Sequence, residues 1–170
     1  MKQLRAQDLM TSPVVAVREG TFFEEAAELL AERGISGFPV VNADEQLVGV
    51  VSERDLAHAL GGPLIRLVVR RPHHPHLSVE TVNDMPRDDR RVGRIMTSPA
   101  ISVHPDTPLH TLAEIMVKEE VNRLPVVREQ EVVGIVTRGD LLTHLGGIEH
   151  RLDRSIHAPV VVGSAASSSA

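Results

Sequence analysis

The chain has 170 residues with 42% hydrophobic and 24% charged side chains and a formal net charge of −5, enough for one compact domain or two small subdomains sharing a core. Aromatic residues make up only 2%, which argues against the stacking platforms of single-strand nucleic-acid binders, and the negative charge argues against binding to a phosphate backbone. There is no Cys, which excludes disulfides and thiolate metal or nucleophile sites.

In chain order, the N-terminal stretch MKQLRAQDLM lacks the apolar core of a signal peptide, and no apolar run approaches a bilayer span, so a cytoplasmic location with no membrane contact is expected. Met-Thr-Ser-Pro at 10–13 precedes a short apolar run near 14–17, read as a strand. Thr21-Phe22-Phe23-Glu24 has capping-box spacing, and Ala26, Ala27 and Leu30 follow at the three-to-four spacing of a buried helical stripe. FPVV and LVGVV, joined by NADEQ, read as a hairpin. A second helix opens at Ser52-Glu53-Arg54-Asp55 and is expected to stop at Gly61-Gly62. Residues 61–93 differ: LIRLVV can pack on the rest, while the Pro-, His- and charge-rich remainder reads as a linker.

From 94 the same elements return. Met-Thr-Ser-Pro recurs at 96–99, a strand is expected near 100–103, and Thr107-Pro108 places Pro at the first position of a helix carrying Leu112, Ala113 and Met116. LPVV and VVGIV, joined by REQE, give a second hairpin, and a helix after Thr137-Arg138-Gly139-Asp140 is expected to end at Gly146-Gly147. The match between 8–56 and 94–141 runs in order through the whole unit, pairing Pro39-Val40-Val41 with Pro125-Val126-Val127 and Asp55-Leu56 with Asp140-Leu141. The expected fold is α+β, two tandem strand–helix–strand–strand–helix repeats about a pseudo-twofold axis. The divisions are 1–60 (first repeat), 61–93 (insert), 94–147 (second repeat) and 148–170, a tail whose end, GSAASSSA, is expected to be disordered.

Met-Thr-Ser-Pro ahead of the first strand, GISGFPVV and EVNRLPVV at the hairpin, and GVVSERDL and GIVTRGDL after it resemble the cystathionine-beta-synthase (CBS) domain. The tandem resembles a Bateman module. The resemblance implies clefts between the repeats that bind adenosine-containing ligands, a sensing role, assembly as a homodimer, and no activity of the module's own. An effector protein is the implied downstream partner.

Ser/Thr-x-x-Asp has two compatible readings. Ser52 and Thr137 can cap the following helices through the backbone N–H three residues on, with Asp55 and Asp140 in the favourable first turn. The carboxylates of Asp55 and Asp140 can also accept both vicinal hydroxyls of a ribose, with Ser52 or Thr137 assisting. Gly49 and Gly134, three residues earlier, lack a side chain and leave room for a ligand to approach the strand. A phosphate needs a cation. Asn122-Arg123 is similar to the His-Arg found at that place in the gamma subunit of AMP-activated kinase, whereas the first repeat has Ser36-Gly37, so the clefts are expected to differ. Arg54 and Arg138 are the further phosphate candidates. By resemblance, the strand after Thr-Ser-Pro holds the base: Val15 and Val17, and Ile101 and Val103, with Thr11, Thr97, Pro13 and Pro99 lining the mouths. The expected ligand is AMP, ADP or ATP, with no required cofactor; S-adenosylmethionine or a dinucleotide fits the same ribose site.

Three rival features remain. His73, His74 and His76 could serve a zinc- or nickel-responsive sensor, with further ligands from Glu80 or Asp84, although Pro75 breaks the spacing of a helical metal site. Arg87, Arg90, Arg91 and Arg94 form a basic cluster, but Asp84, Asp88 and Asp89 interleave it, which favours a salt-bridged linker over nucleic acid. No nucleophile elbow, P-loop or dinucleotide fingerprint is present, so catalysis is not expected.

Overall fold

The computed structural model describes residues 3–59, 86, 89–145 and 160–162. In chain order these form α1 (Ala6–Leu9), β1 (Val15–Arg18), α2 (Phe23–Arg33), β2 (Gly37–Val41), β3 (Leu47–Ser52), α3 (Glu53–Ala59), a 3-10 turn (Val92–Arg94), α4 (Leu109–Lys118), β4 (Arg123–Arg128), β5 (Glu131–Thr137), α5 (Arg138–Leu145) and β6 (Val160–Val162). The architecture is the α+β one expected, with two repeats. The compact units do not follow the repeat boundaries, however. One gathers Met1–Val15, Glu45–Leu47 and Ala100–Val160; the other gathers Ala16–Asp44, Val48–Pro99 and Val161–Ala170. The segment ahead of each repeat therefore belongs with the body of the other.

In the first unit β4 and β5 pair antiparallel, with Arg123 opposite Thr137, Arg128 opposite Glu131, and a register shift between Val126 and Val127. The strand expected near 100–103 shrinks to one parallel bridge from Val103 to Val126. Val103 donates to the Pro125 carbonyl at 3.0 Å and accepts from Val127 N at 2.8 Å. Across the sheet, α4 turns Leu112 and Met116 inward, four residues apart on one face. They close a core with Leu124, Val126, Val136 and Leu141. The N-terminal segment joins this core through fully buried Ala6, whose N–H donates to the Thr107 carbonyl at 2.8 Å.

In the second unit the sheet order is β3-β2-β1-β6, and β1 runs parallel to β2 with Val17 opposite Val40. Here Ala26 and Leu30 of α2 meet the positions that Leu112 and Met116 hold in the other repeat, and Phe38, Val40, Val51 and Leu56 are fully buried as Leu124, Val126, Val136 and Leu141 are in theirs, Leu141 at 5% exposure. Each such Leu, Met, Phe or Val side chain contributes about 1.5–3 kcal/mol through burial, so the duplicated pattern specifies two cores by one rule. The segment ahead of the second repeat adds to this unit: Val92 N donates to the Thr21 carbonyl and Gly93 N to the Glu19 carbonyl, both at 2.8 Å.

Several expectations are corrected. Helix α2 begins at Phe23 with Phe22 at its cap, so Thr21 does not cap it; Thr21 is instead buried at 1% exposure, because its backbone is tied on both sides, to Arg18 and to Val92. Pro108 is the cap of α4 rather than its first residue. Strand β6, inside the expected tail, was not foreseen. The basic cluster is ion-paired where described: Arg90 meets Glu24 and Arg94 meets Asp89, each at 3.4 Å, while the Arg91 guanidinium stacks 4.6 Å from the Phe22 ring. Arg87, Asp84 and Asp88, the LIRLVV run, the glycine pairs 61–62 and 146–147, and GSAASSSA lie outside the described residues.

Candidate functional site

Each repeat passes from an apolar strand straight into a helix, and the junction is built by one carboxylate. In the first unit, Asp140 Oδ2 accepts from Thr137 N and from Thr137 Oγ1, both at 2.6 Å, and Asp140 N donates back to Thr137 Oγ1 at 3.3 Å. In the second, Asp55 Oδ2 accepts from Ser52 N at 2.8 Å and Ser52 Oγ at 2.6 Å, and Asp55 N donates back at 3.4 Å. Both are reciprocal capping boxes. Each satisfies orphan amides of the helix start and places negative charge in the first turn. All of these bonds use a single carboxylate oxygen. The other, Oδ1, accepts nothing from the described residues in either repeat. Both carboxylates are half-buried and therefore reachable.

The flanking backbone is duplicated as well. Arg138 N donates to the Asn122 carbonyl at 2.9 Å, and Glu53 N donates to the Ser36 carbonyl at 3.0 Å. This fixes the start of each helix against the start of the preceding hairpin strand. In the first unit it brings Asn122, Arg123, Thr137, Arg138 and Asp140 together, with Arg123 half-buried opposite Thr137 and Asn122 and Arg138 exposed. In the second, Ser36 and Gly37 stand at the equivalent place, and Arg54 is exposed on α3.

The mouth residues come from the exchanged segments. Thr11 N donates to the Ile135 carbonyl at 2.9 Å and Ile135 N to the Thr11 carbonyl at 3.2 Å, two residues before Thr137. Thr97 N donates to the Val50 carbonyl at 2.9 Å and Val50 N to the Thr97 carbonyl at 3.0 Å, two residues before Ser52. The Ser98 hydroxyl adds a bond to the Val48 carbonyl at 2.9 Å. Thr11 and Thr97 are exposed, Pro13 is half-buried and Pro99 exposed, and both Ser-Pro bonds are cis.

The room foreseen beside the strand glycines is already taken. A methyl group on Gly134 would stand 2.5 Å from Met10 Sδ, and one on Gly49 would stand 2.5 Å from Met96 Sδ. The glycines admit methionine, not a ligand. Met10 and Met96 were missed because their own sequence neighbourhood shows nothing of the distant strand they pack on; the recurrence of Met-Thr-Ser-Pro was the available signal.

The four base candidates separate by burial. Val17 is 0% exposed and Val103 7%, and both backbones are paired, so these side chains serve the cores. Val15 is half-buried and Ile101 is 37% exposed, which leaves them as the members of the set with surface to offer. Val15 and Val17, like Ile101 and Val103, are two residues apart and would share a face in a regular strand. The difference comes from position: Val15 opens β1 and Ile101 lies ahead of the single bridge at Val103. Among the described residues no group of three or more His, Asp or Glu is placed to hold a metal ion; His73, His74, His76, Glu80 and Asp84 lie outside them.

The model of the CBS domain matches the chain twice, over 6–62 and 92–147. The chain belongs to the CBS domain family. With its two domains it forms a CBS pair. It is 31% identical over 153 residues to the uncharacterized protein MJ1426 of Methanocaldococcus jannaschii, covering 82% of this chain and 89% of that one. Other curated relatives are much longer, and this CBS pair spans 14% of one and 22% of another. Among solved structures it is similar to the CBS domain pair of protein MJ0100 in complex with 5′-methylthioadenosine and S-adenosyl-L-methionine, with a TM-score of 0.67, 26% identity, and coverage of 86% and 98%. It is also similar to CBSX2 in complex with AMP, with a TM-score of 0.63, 28% identity, and coverage of 86% and 98%. No helix among the described residues is long and apolar enough to cross a membrane.

Proposed function

We propose that this CBS pair is a regulatory module that binds an adenine nucleotide, AMP, ADP or ATP, and signals by a change of conformation or assembly as a homodimer, acting on an effector protein rather than catalysing a reaction. The observation that carries the reading is the geometry of Asp140 and Asp55. Each carboxylate is held rigidly through one oxygen, leaving Oδ1 to accept from ribose hydroxyls, and the arrangement occurs twice. Thr137 and Ser52 orient the carboxylates. Thr11 and Thr97, with Pro13 and Pro99, flank the same strand ends. Solved relatives bind AMP in one case and two adenosine thioether or sulfonium compounds in another, which supports adenosine as the shared element.

For phosphate, Arg123 and Arg138 with Asn122 are the candidates in the unit that holds Asp140, and Arg54 in the unit that holds Asp55. A guanidinium can grip phosphate oxygens in a bidentate fork. Ser36 and Gly37 offer no such group, so the Asp140 site is the stronger phosphate site. The base meets Ile101 or Val15 by apolar contact. Different phosphate counts bias different arrangements by their differential affinity for each.

A panel of melting temperatures with AMP, ADP, ATP, GTP, S-adenosylmethionine, NAD, Zn and Ni tests this. A nucleotide at 100 times its Kd stabilises by about 2.7 kcal/mol, which for this size raises the melting temperature by roughly 5–10 °C. A rise with adenine nucleotides that disappears in Asp140→Ala is expected. Folded protein that responds to no adenosine compound overturns the reading. A rise with Zn or Ni alone, lost on changing His73, His74 and His76, supports the metal-responsive alternative.

A further inference from the structure

We infer that Met10 and Met96 form a paired oxidation site whose chemistry releases the Thr11 and Thr97 segments; its effect on ligand binding rests on the function proposed above. Each methionine immediately precedes a threonine held by two backbone hydrogen bonds to the strand. Each thioether sits in a notch that exists because the strand carries glycine there. A Cβ on Gly134 would meet Met10 Sδ at 2.5 Å and Cγ at 2.9 Å, and a Cβ on Gly49 would meet Met96 Sδ and Cγ at the same distances. The thioether is thus the side-chain anchor nearest to the paired threonine, alongside Ala6 in one segment and Ser98 in the other, and it is repeated in both units.

Three further features make the anchor an oxidation site. Met10 and Met96 are half-buried, whereas Met116 is 2% exposed in the core. The chain has no Cys, so thioethers carry all of its sulfur chemistry. The notches also have no room to spare: the Thr97 carbonyl would lie 3.0 Å from a Cβ on Gly49 and already accepts from Val50 N, and Met10 packs against the apolar core of its unit. With a hydroperoxide as oxidant, a sulfur lone pair attacks the terminal oxygen, the O–O bond breaks, and water or an alcohol leaves. The thioether loses two electrons and becomes a sulfoxide, and the peroxide is reduced. The new oxygen is a strong acceptor placed against apolar side chains or a carbonyl, so the sulfoxide leaves the notch and the segment loses its anchor.

The test treats the full chain with dilute hydrogen peroxide and follows oxygen incorporation by peptide mass and amide exchange by mass spectrometry. Met10 and Met96 should oxidise before Met116. Exchange at Thr11, Ile135, Thr97 and Val50 should then rise about tenfold or more, and AMP affinity should fall by about tenfold. Methionine sulfoxide reductase should reverse both effects, and Met10→Leu/Met96→Leu, which keeps the apolar anchor, should abolish them. Oxidation of Met116 as fast as the others, or sulfoxides at 10 and 96 with unchanged exchange, overturns the inference even if the double variant fails to fold. Unchanged AMP affinity on oxidation overturns the control of binding. Raised exchange in a chain that binds no adenosine compound keeps the oxidation site and removes the nucleotide reading.

Discussion

Thr137 gives both its amide and its hydroxyl to one oxygen of Asp140, each at 2.6 Å. The arrangement caps α5 through Oδ2, and the proposed function assigns the second oxygen, Oδ1, to the ligand. The two roles can be separated by mutation. Asp140→Ala should lower stability by about 0.5–2 kcal/mol through loss of the cap and should also abolish the AMP-dependent rise in melting temperature assigned to that site. Thr137→Ala should destabilise by a similar amount while retaining part of the AMP response. Urea denaturation with and without AMP measures both. Equal AMP responses in wild type and Asp140→Ala would leave the cap as the carboxylate's whole role.

Gly34 and Glu120 occupy one conformation in the two repeats. Gly34 has φ 61° after α2 and Glu120 has φ 54° after α4, and the following residues, Ile35 and Val121, donate back to Leu30 and Met116 at 3.1 Å. This is the Schellman ending, which suits glycine. A Cβ at Gly34 meets nothing within 4 Å, so Gly34→Ala should destabilise by about 1 kcal/mol through backbone strain alone. Glu120→Gly should stabilise by up to about 1 kcal/mol. Opposite signs in thermal denaturation are the expected result.

The β4–β5 turn is strained in the same way. Glu129 has φ 51° and Gln130 φ 76°, two consecutive positive values between Arg128 and Glu131. A two-residue turn of that geometry prefers Asn-Gly. Glu129→Asn should stabilise by about 0.5 kcal/mol, and it leaves Gln130 free to keep its 2.6 Å hydrogen bond with Gln46. A lower denaturation midpoint would contradict this account of the turn.

Gly134→Ala places a methyl group where Met10 Sδ lies. The methionine must withdraw, and the variant should lose about 1–3 kcal/mol as an overpacked site. Because the two residues share one space, Gly134→Ala/Met10→Ala should lose less than the sum of the single changes. Additive losses in chemical denaturation would mean that the notch and the thioether are independent.

Much of the fold was legible because it is local. The hairpins around NADEQ and REQE, the inward face of α4 at Leu112 and Met116, and the Ser52–Asp55 and Thr137–Asp140 boxes depend on spacings of two to four residues, which the chain displays directly. Thr21 misled because capping-box spacing is common and its backbone was claimed by Val92, far along the chain. Glu120 was not foreseen as a helix end because only its structural twin carries the glycine that signals one.

The sequence by itself determined that the chain is a duplicated α+β module with matched cores and a carboxylate at each strand-to-helix junction, since order, period and capping are properties of short windows. Only the tertiary structure decided that Met-Thr-Ser-Pro of each repeat lies on the hairpin of the other, that Gly49 and Gly134 receive methionine, and that Val17 and Val103 belong to cores while Ile101 stays exposed. These are pairings between distant segments. Similar strands in both repeats can accept a similar segment, so the choice falls to backbone hydrogen bonding and packing that no local pattern records.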